Sequence, residues 1–146
     1  MVRKNMFTMA ALLAATACLS VIVQSGTAQT DSPTKSDGFK PVMPLLSLMA
    51  EQDRHFDNIL DLVRDAEAAD RFEKMRHEAY ALAEMGNING YHSGAVRHQD
   101  YRQWAGDLKD LALTLAGNAE RKQADAFAGL AKKLNSTCKA CHNKYK

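Results

Sequence analysis

Residues 127–146 read Phe-Ala-Gly-Leu-Ala-Lys-Lys-Leu-Asn-Ser-Thr-Cys-Lys-Ala-Cys-His-Asn-Lys-Tyr-Lys. Two patterns overlap there. Phe127, Leu130 or Ala131, and Leu134 recur at steps of three and four, which lines one face of an α-helix. The helix then runs into Cys138-Lys139-Ala140-Cys141-His142, the Cys-x-x-Cys-His spacing of c-type haem attachment. The chemistry accounts for the spacing. Two thiols add to the two vinyl groups of a haem, and the next imidazole sits under the iron as its proximal ligand. The stretch predicts one covalent haem c, with Cys138 and Cys141 forming the thioethers and His142 ligating the metal.

Three other chemistries use a close cysteine pair. A structural zinc site needs four protein ligands and a catalytic one three. Beyond Cys18, near the N-terminus, the chain has no further cysteine, and it has no His-x-x-x-His to complete a cage. A thioredoxin-type pair belongs between a strand and a helix, and no strand pattern is visible. A disulfide across two intervening residues closes too short a loop to stabilise much. Haem attachment is the reading that uses every residue of the motif.

Working outward, three more helical stretches precede the motif helix, which begins at about Ala119. The first spans about Pro41 to Ala66, with Leu45, Met49, Gln52, Phe56, Ile59 and Val63 on one face. Asp53, Arg54, Asp57, Asp61 and Arg64 fall mostly on the other, as a solvated face should, and Pro41 and Pro44 suit an opening turn. The second starts near Asp70, with Glu73 placed for a capping box. It carries Phe72, Met75, Ala79 and Leu82 and should stop around Met85-Gly86-Asn87. After a loop from Ile88 to about His98, the third runs from about Gln99 to Ala116, with Tyr101, Trp104, Leu108, Leu111 and Leu115 as its stripe. Gly117-Asn118 should end it. Four amphipathic helices with mostly short connections bury their stripes against each other. The expected fold is all-α, an antiparallel up-down-up-down four-helix bundle over residues 41–146.

Ahead of the bundle, Arg3 and Lys4 precede an apolar run from Met6 through Leu19 to Val23, then Gly26, Thr27 and Ala28. That order reads as a secretory signal peptide over 1–28, cleaved after Ala28. An uncleaved membrane anchor and lipidation at Cys18 are the alternatives, each weakened by the Ser and Thr within the run or by its continuation past Cys18. Residues 29–40 are polar, contain Pro33 and Gly38, and read as a flexible leader. Export and haem attachment agree, because bacterial c-type attachment is completed outside the inner membrane; the localisation expected is periplasmic. Nineteen basic residues less Arg3 and Lys4 leave seventeen, against seventeen acidic ones. A formally neutral mature chain favours neither nucleic acid nor an anionic membrane as partner.

The motif helix closing as Cys-Lys-Ala-Cys-His-Asn-Lys-Tyr-Lys resembles the class II cytochromes c, cytochrome c′ and cytochrome c-556. Those proteins carry the motif near the C-terminus and follow it with an aromatic and a basic residue, as Tyr145-Lys146 do here. Trp104 sits where many members have a tryptophan. The resemblance covers about residues 41–146 and is strongest in the last third. It implies a first-helix residue facing the distal side of the iron, a methionine in the low-spin c-556 type. In Leu45-Leu46-Ser47-Leu48-Met49 that residue is Met49, with Leu45 in place of the family's usual arginine. The resemblance also implies redox partner proteins and, in many members, a homodimer through the first two helices.

Read on its own, Met49 is a soft thioether on the buried stripe, suited both to haem iron and to plain core packing. Met43, Met75 and Met85 are expected to be core fillers. Phe56, Trp104, Leu108 and Leu134 are candidates to wall the haem pocket, with ordinary core packing an equal explanation for each. His55, His77, His92 and His98 are expected at the surface, with His55 or His92 the first to test as a rival ligand. Two functions follow from the sixth site. With Met49 bonded, the protein is a single-electron carrier. With Met49 unbonded, it is a five-coordinate binder of small gases such as nitric oxide or carbon monoxide. A peroxidase is disfavoured, since no distal His/Arg pair is evident beyond the adjacent Arg54 and His55.

Overall fold

The computed structural model describes residues 39–92 and 97–146. The signal read at 1–28, Cys18 within it and most of the 29–40 leader lie outside the described residues. Those described are all-helical, without a strand among them, and none of their helices is long and apolar enough to cross a membrane. The helices are α1 (Leu45–Arg64), α2 (Arg71–Asn89), α3 (Gln99–Glu120) and α4 (Phe127–Tyr145), with a 3-10 turn at Ala124–Ala126 before α4. The α2–α3 interface is the most extensive. α1 packs on α2 and α4 on α3, while α1 meets α4 along a much thinner seam.

The expected helices are all present, with shifted ends. α1 begins four residues after Pro41, at Leu45, because Pro44 holds an extended backbone (ψ 145°) and its carbonyl takes the first helical N–H, from Leu48 at 3.0 Å. Asp70 does not form a capping box. Its backbone is left-handed (φ 56°) and no side-chain cap bond is made, whereas a box needs an extended N-cap. α2 continues through Gly86 to Asn89 and α3 continues through Gly117-Asn118 to Glu120. In α3 the Asn118 side-chain amide donates to the Thr114 carbonyl at 2.8 Å and the Arg121 guanidinium lies over Gly117. The helix stops only near Lys122, which adopts φ 56°. Residues 121–126 are taken up by that turn and the 3-10 turn after it, so α4 starts at Phe127 and not at Ala119.

Burial follows the predicted stripes closely in α4, where Phe127, Leu130, Ala131 and Leu134 are all buried. In α1 the buried line is Leu48, Gln52, His55, Ile59 and Leu62, one residue earlier around the helix than expected. The reason is that α1 turns its most enclosed face to α2. Met49, Phe56 and Val63 lie on the flank and are only half-buried, and Leu45 is exposed. The core joins Ile59, Met75, Leu82, Leu115, Phe127 and Leu134 from all four helices. Met75 fills it as expected. Met85 is half-buried, and Met43 is exposed because it precedes α1.

Candidate functional site

Helix geometry puts Cys138, Cys141 and His142 on adjoining turns of α4, and the neighbouring helices close a cavity against them. α1 supplies Met49, Gln52, Asp53 and Phe56, α2 supplies Asn89, and α3 supplies Trp104, Ala105 and Leu108; Thr137 completes α4's share. Six of the sequence-derived candidates therefore meet in one place: Met49, Phe56, Trp104, Cys138, Cys141 and His142. Leu108 joins them. Leu134 does not, being fully enclosed in the hydrophobic core one turn before the cavity.

The two thiols are free and half-buried. Burial pushes the Cys138 thiol up to about 11, helped by the Asp53 and Cys141 charges, and burial followed by Asp100 raises Cys141. In both, burial disfavours the thiolate form. Among the described residues no cluster of three or more His, Cys, Asp or Glu is placed to hold a bare metal ion. The donor set suits an iron that brings its own equatorial ligands. It offers a nitrogen from His142, a thioether from Met49, two thiols for tethering and an apolar wall of Phe56, Trp104 and Leu108.

The cavity encloses about 30 Å³, near the volume of one water. A tetrapyrrole needs a site in the range of ~300–1,000 Å³, so seating one requires helices to part. The thin α1–α4 seam has Met49 and Phe56 on one side and the motif on the other.

Two buried polar residues in the lining were not among the candidates for the pocket. Gln52 is 7% exposed and donates from its side-chain nitrogen to the Met85 carbonyl at 3.3 Å. Asn89 is 5% exposed and accepts from the Tyr101 hydroxyl at 2.6 Å. Gln52 shares Met49's face, one turn on, and the helical period had placed it there as part of the buried stripe. Asn89 carried no signal, because Gly86-Asn87 reads as a helix end.

The histidines divide. His77 and His98 are exposed, as expected. His55 is not a surface residue: it is 6% exposed between α1 and α2. An arginine N–H can only donate, so His55 Nε2 accepts from Arg54 Nη2 (3.0 Å), and Nδ1 donates to Glu78 Oε2 at 2.6 Å. Both ring nitrogens are engaged, and neither His55 nor Arg54 lines the cavity. His92 also departs from expectation. It is half-buried, with Nε2 enclosed and without a hydrogen-bond partner among the described residues, and it too lies outside the cavity lining.

The last turn of α4 is anchored to the first turn of α3. Asp100 Oδ1 accepts from the Tyr145 hydroxyl (2.6 Å) and from the Tyr101 backbone N–H (3.0 Å), and Oδ2 accepts from Lys144 Nζ. The Lys144 and Tyr145 bonds hold the Asp100 carboxyl down at about 2. No family model, curated protein or solved structure matches this chain.

Proposed function

We propose that this chain is an exported c-type cytochrome, a single-electron carrier with one covalent haem in an antiparallel up-down-up-down bundle of the class II kind. The observation that carries the reading is the convergence on Cys138-x-x-Cys141-His142 of Met49, Phe56 and Trp104, side chains that two other helices bring from far away in the sequence. Cys138 and Cys141 hold the group. Each thiol would add across one vinyl group, sulfur to one carbon and hydrogen to the other, so attachment would need no oxidant. His142 and Met49 are the residues that would ligate its iron. The haem, when bound, supplies a one-electron iron couple. Phe56, Trp104 and Leu108 keep water from it, which sets the reduction potential as much as the axial pair does. Two permanent protein ligands leave the iron's surroundings unchanged when its charge changes, which favours electron transfer over ligand binding. Redox partner proteins in the periplasm and a homodimer complete the reading.

The test is the spectrum of protein produced with the cell's haem-attachment machinery. Low-spin bands in both oxidation states, a weak far-red methionine–iron band, and colour that stays with the chain on denaturation are expected. Met49→Leu should abolish the far-red band and open the iron to carbon monoxide. A wild type that is high-spin and binds carbon monoxide readily supports the five-coordinate gas binder in place of the carrier. A colourless product with Cys138 and Cys141 both free to alkylate overturns both.

A further inference from the structure

His142 stands in the last full turn of α4, a position where helices ordinarily fray. An axial ligand on a fraying turn would wander relative to the wall it faces. We infer that Asp100 is a positioning residue for His142: its carboxylate pins the last turn of α4 to the first turn of α3 and so fixes where the imidazole stands. The inference rests on the haem reading above and names the residue that orients its proximal ligand.

Three donors from two helices meet on this one carboxylate: the Tyr145 hydroxyl, the Lys144 ammonium and the Tyr101 N–H. The ion pair alone would carry little. Its side chains are 58% and 33% exposed, and such pairs contribute next to nothing once solvent and salt screen them. Tyr145 is what makes the contact directional. Its ring packs against His98 and Tyr101 at 5.3 Å between centroids and against Trp104 at 6.1 Å, edge-on to the last two. Trp104 lines the cavity, and Tyr101 holds the cavity-lining Asn89 through its hydroxyl.

Helical spacing then transmits the anchor. Tyr145 lies three residues after His142 and four after Cys141, one turn along the same side of α4. Trp104 lies four residues after Asp100 on α3. Through those two turns one carboxylate links the motif to the wall opposite it. The Lys146 N–H to His142 carbonyl bond, at 3.0 Å, closes the same turn.

The test compares the full-length haem-loaded protein with Asp100→Ala, which removes both acceptor oxygens, Tyr145→Phe and Lys144→Met. The first two should keep their haem, since the cysteines are untouched. They should also lose hydrogen-exchange protection at the amides of Cys141–Lys146, shift the midpoint potential and gain a high-spin fraction as His142 loosens. Lys144→Met should stay close to wild type. Should Asp100→Ala fail to fold, Tyr145→Phe, which removes one oxygen, carries the same comparison. Unchanged exchange, potential and spin state in both variants overturn the inference, as does an even loss of protection across all four helices. A colourless wild type sinks the haem reading instead; the exchange comparison still decides whether Asp100 holds this turn.

Discussion

Replacing Gly86 by alanine separates what a helix wants from what its neighbour allows. Alanine is preferred over glycine inside a helix by about 1 kcal/mol, so an isolated α2 would gain. In the folded protein a Cβ at Gly86 would stand 2.9 Å from the Lys109 backbone nitrogen, 3.2 Å from the Ala105 carbonyl oxygen and 3.3 Å from Leu108 Cγ. Two of these are backbone atoms of α3 and cannot rotate away. Reaching the 3.4 Å where ordinary contact begins requires α3 to recede from 2.9 Å at its nearest point. Overpacking of this kind costs about 1–3 kcal/mol. Gly129, exposed on α4, is the control, with nothing within 4 Å of its added Cβ. The helix preference is common to both substitutions, so the difference between them isolates the steric cost. Gly129→Ala should stabilise by up to ~1 kcal/mol, and Gly86→Ala should fall below it by about 1–3 kcal/mol. For a domain of this size, each kcal/mol moves the melting temperature by roughly 4–8 °C. Thermal and urea unfolding followed by circular dichroism, with every variant in the same cofactor state, measures it. A Gly86→Ala protein as stable as Gly129→Ala would show that α2 and α3 do not cross closely at Gly86.

His55→Ala should destabilise by about 1–3 kcal/mol, because Glu78, 16% exposed, loses its partner. Urea unfolding should find a His55→Leu/Glu78→Leu double variant more stable than either single change, since no charge is then left unpaired between α1 and α2. Leu134→Ala should cost about 2–5 kcal/mol by the same measurement, while Leu46→Ala, at a position 85% exposed, should change little. Asp100 should contribute to the acid side of the stability profile. Its carboxyl titrates at about 2 when folded, against 3.8 unperturbed, so the stability it lends is whole above 3.8 and is lost as pH falls towards 2. Asp100→Asn should flatten that part of the stability profile, and a variant profile parallel to wild type between those values would refute the assignment.

The four described helices, their order and the motif itself were legible in sequence, because each depends on local information. Steps of three and four name a helix face wherever they occur, and Cys138-Lys139-Ala140-Cys141-His142 is contiguous. Their stripes placed Met49, Phe56 and Trp104 on apolar helix faces, and the resemblance singled out Met49 among them. The failures have one physical origin, which is that some residues serve a neighbouring element. Gly86 reads as a helix stop by propensity, yet it lies buried in α2 where α3 comes nearest. His55 sits among Asp53, Arg54 and Asp57 in a stretch that looks solvated, yet Glu78 on α2 gives it a buried partner. Asp100 and Tyr145 are 45 residues apart, and no pattern within either helix links them. Periodicity states which residues a helix can bury. Only packing decides how far the helix turns, which glycine is a crossing point and which carboxylate meets which hydroxyl, because those outcomes depend on distances between backbones that the sequence brings together only after folding.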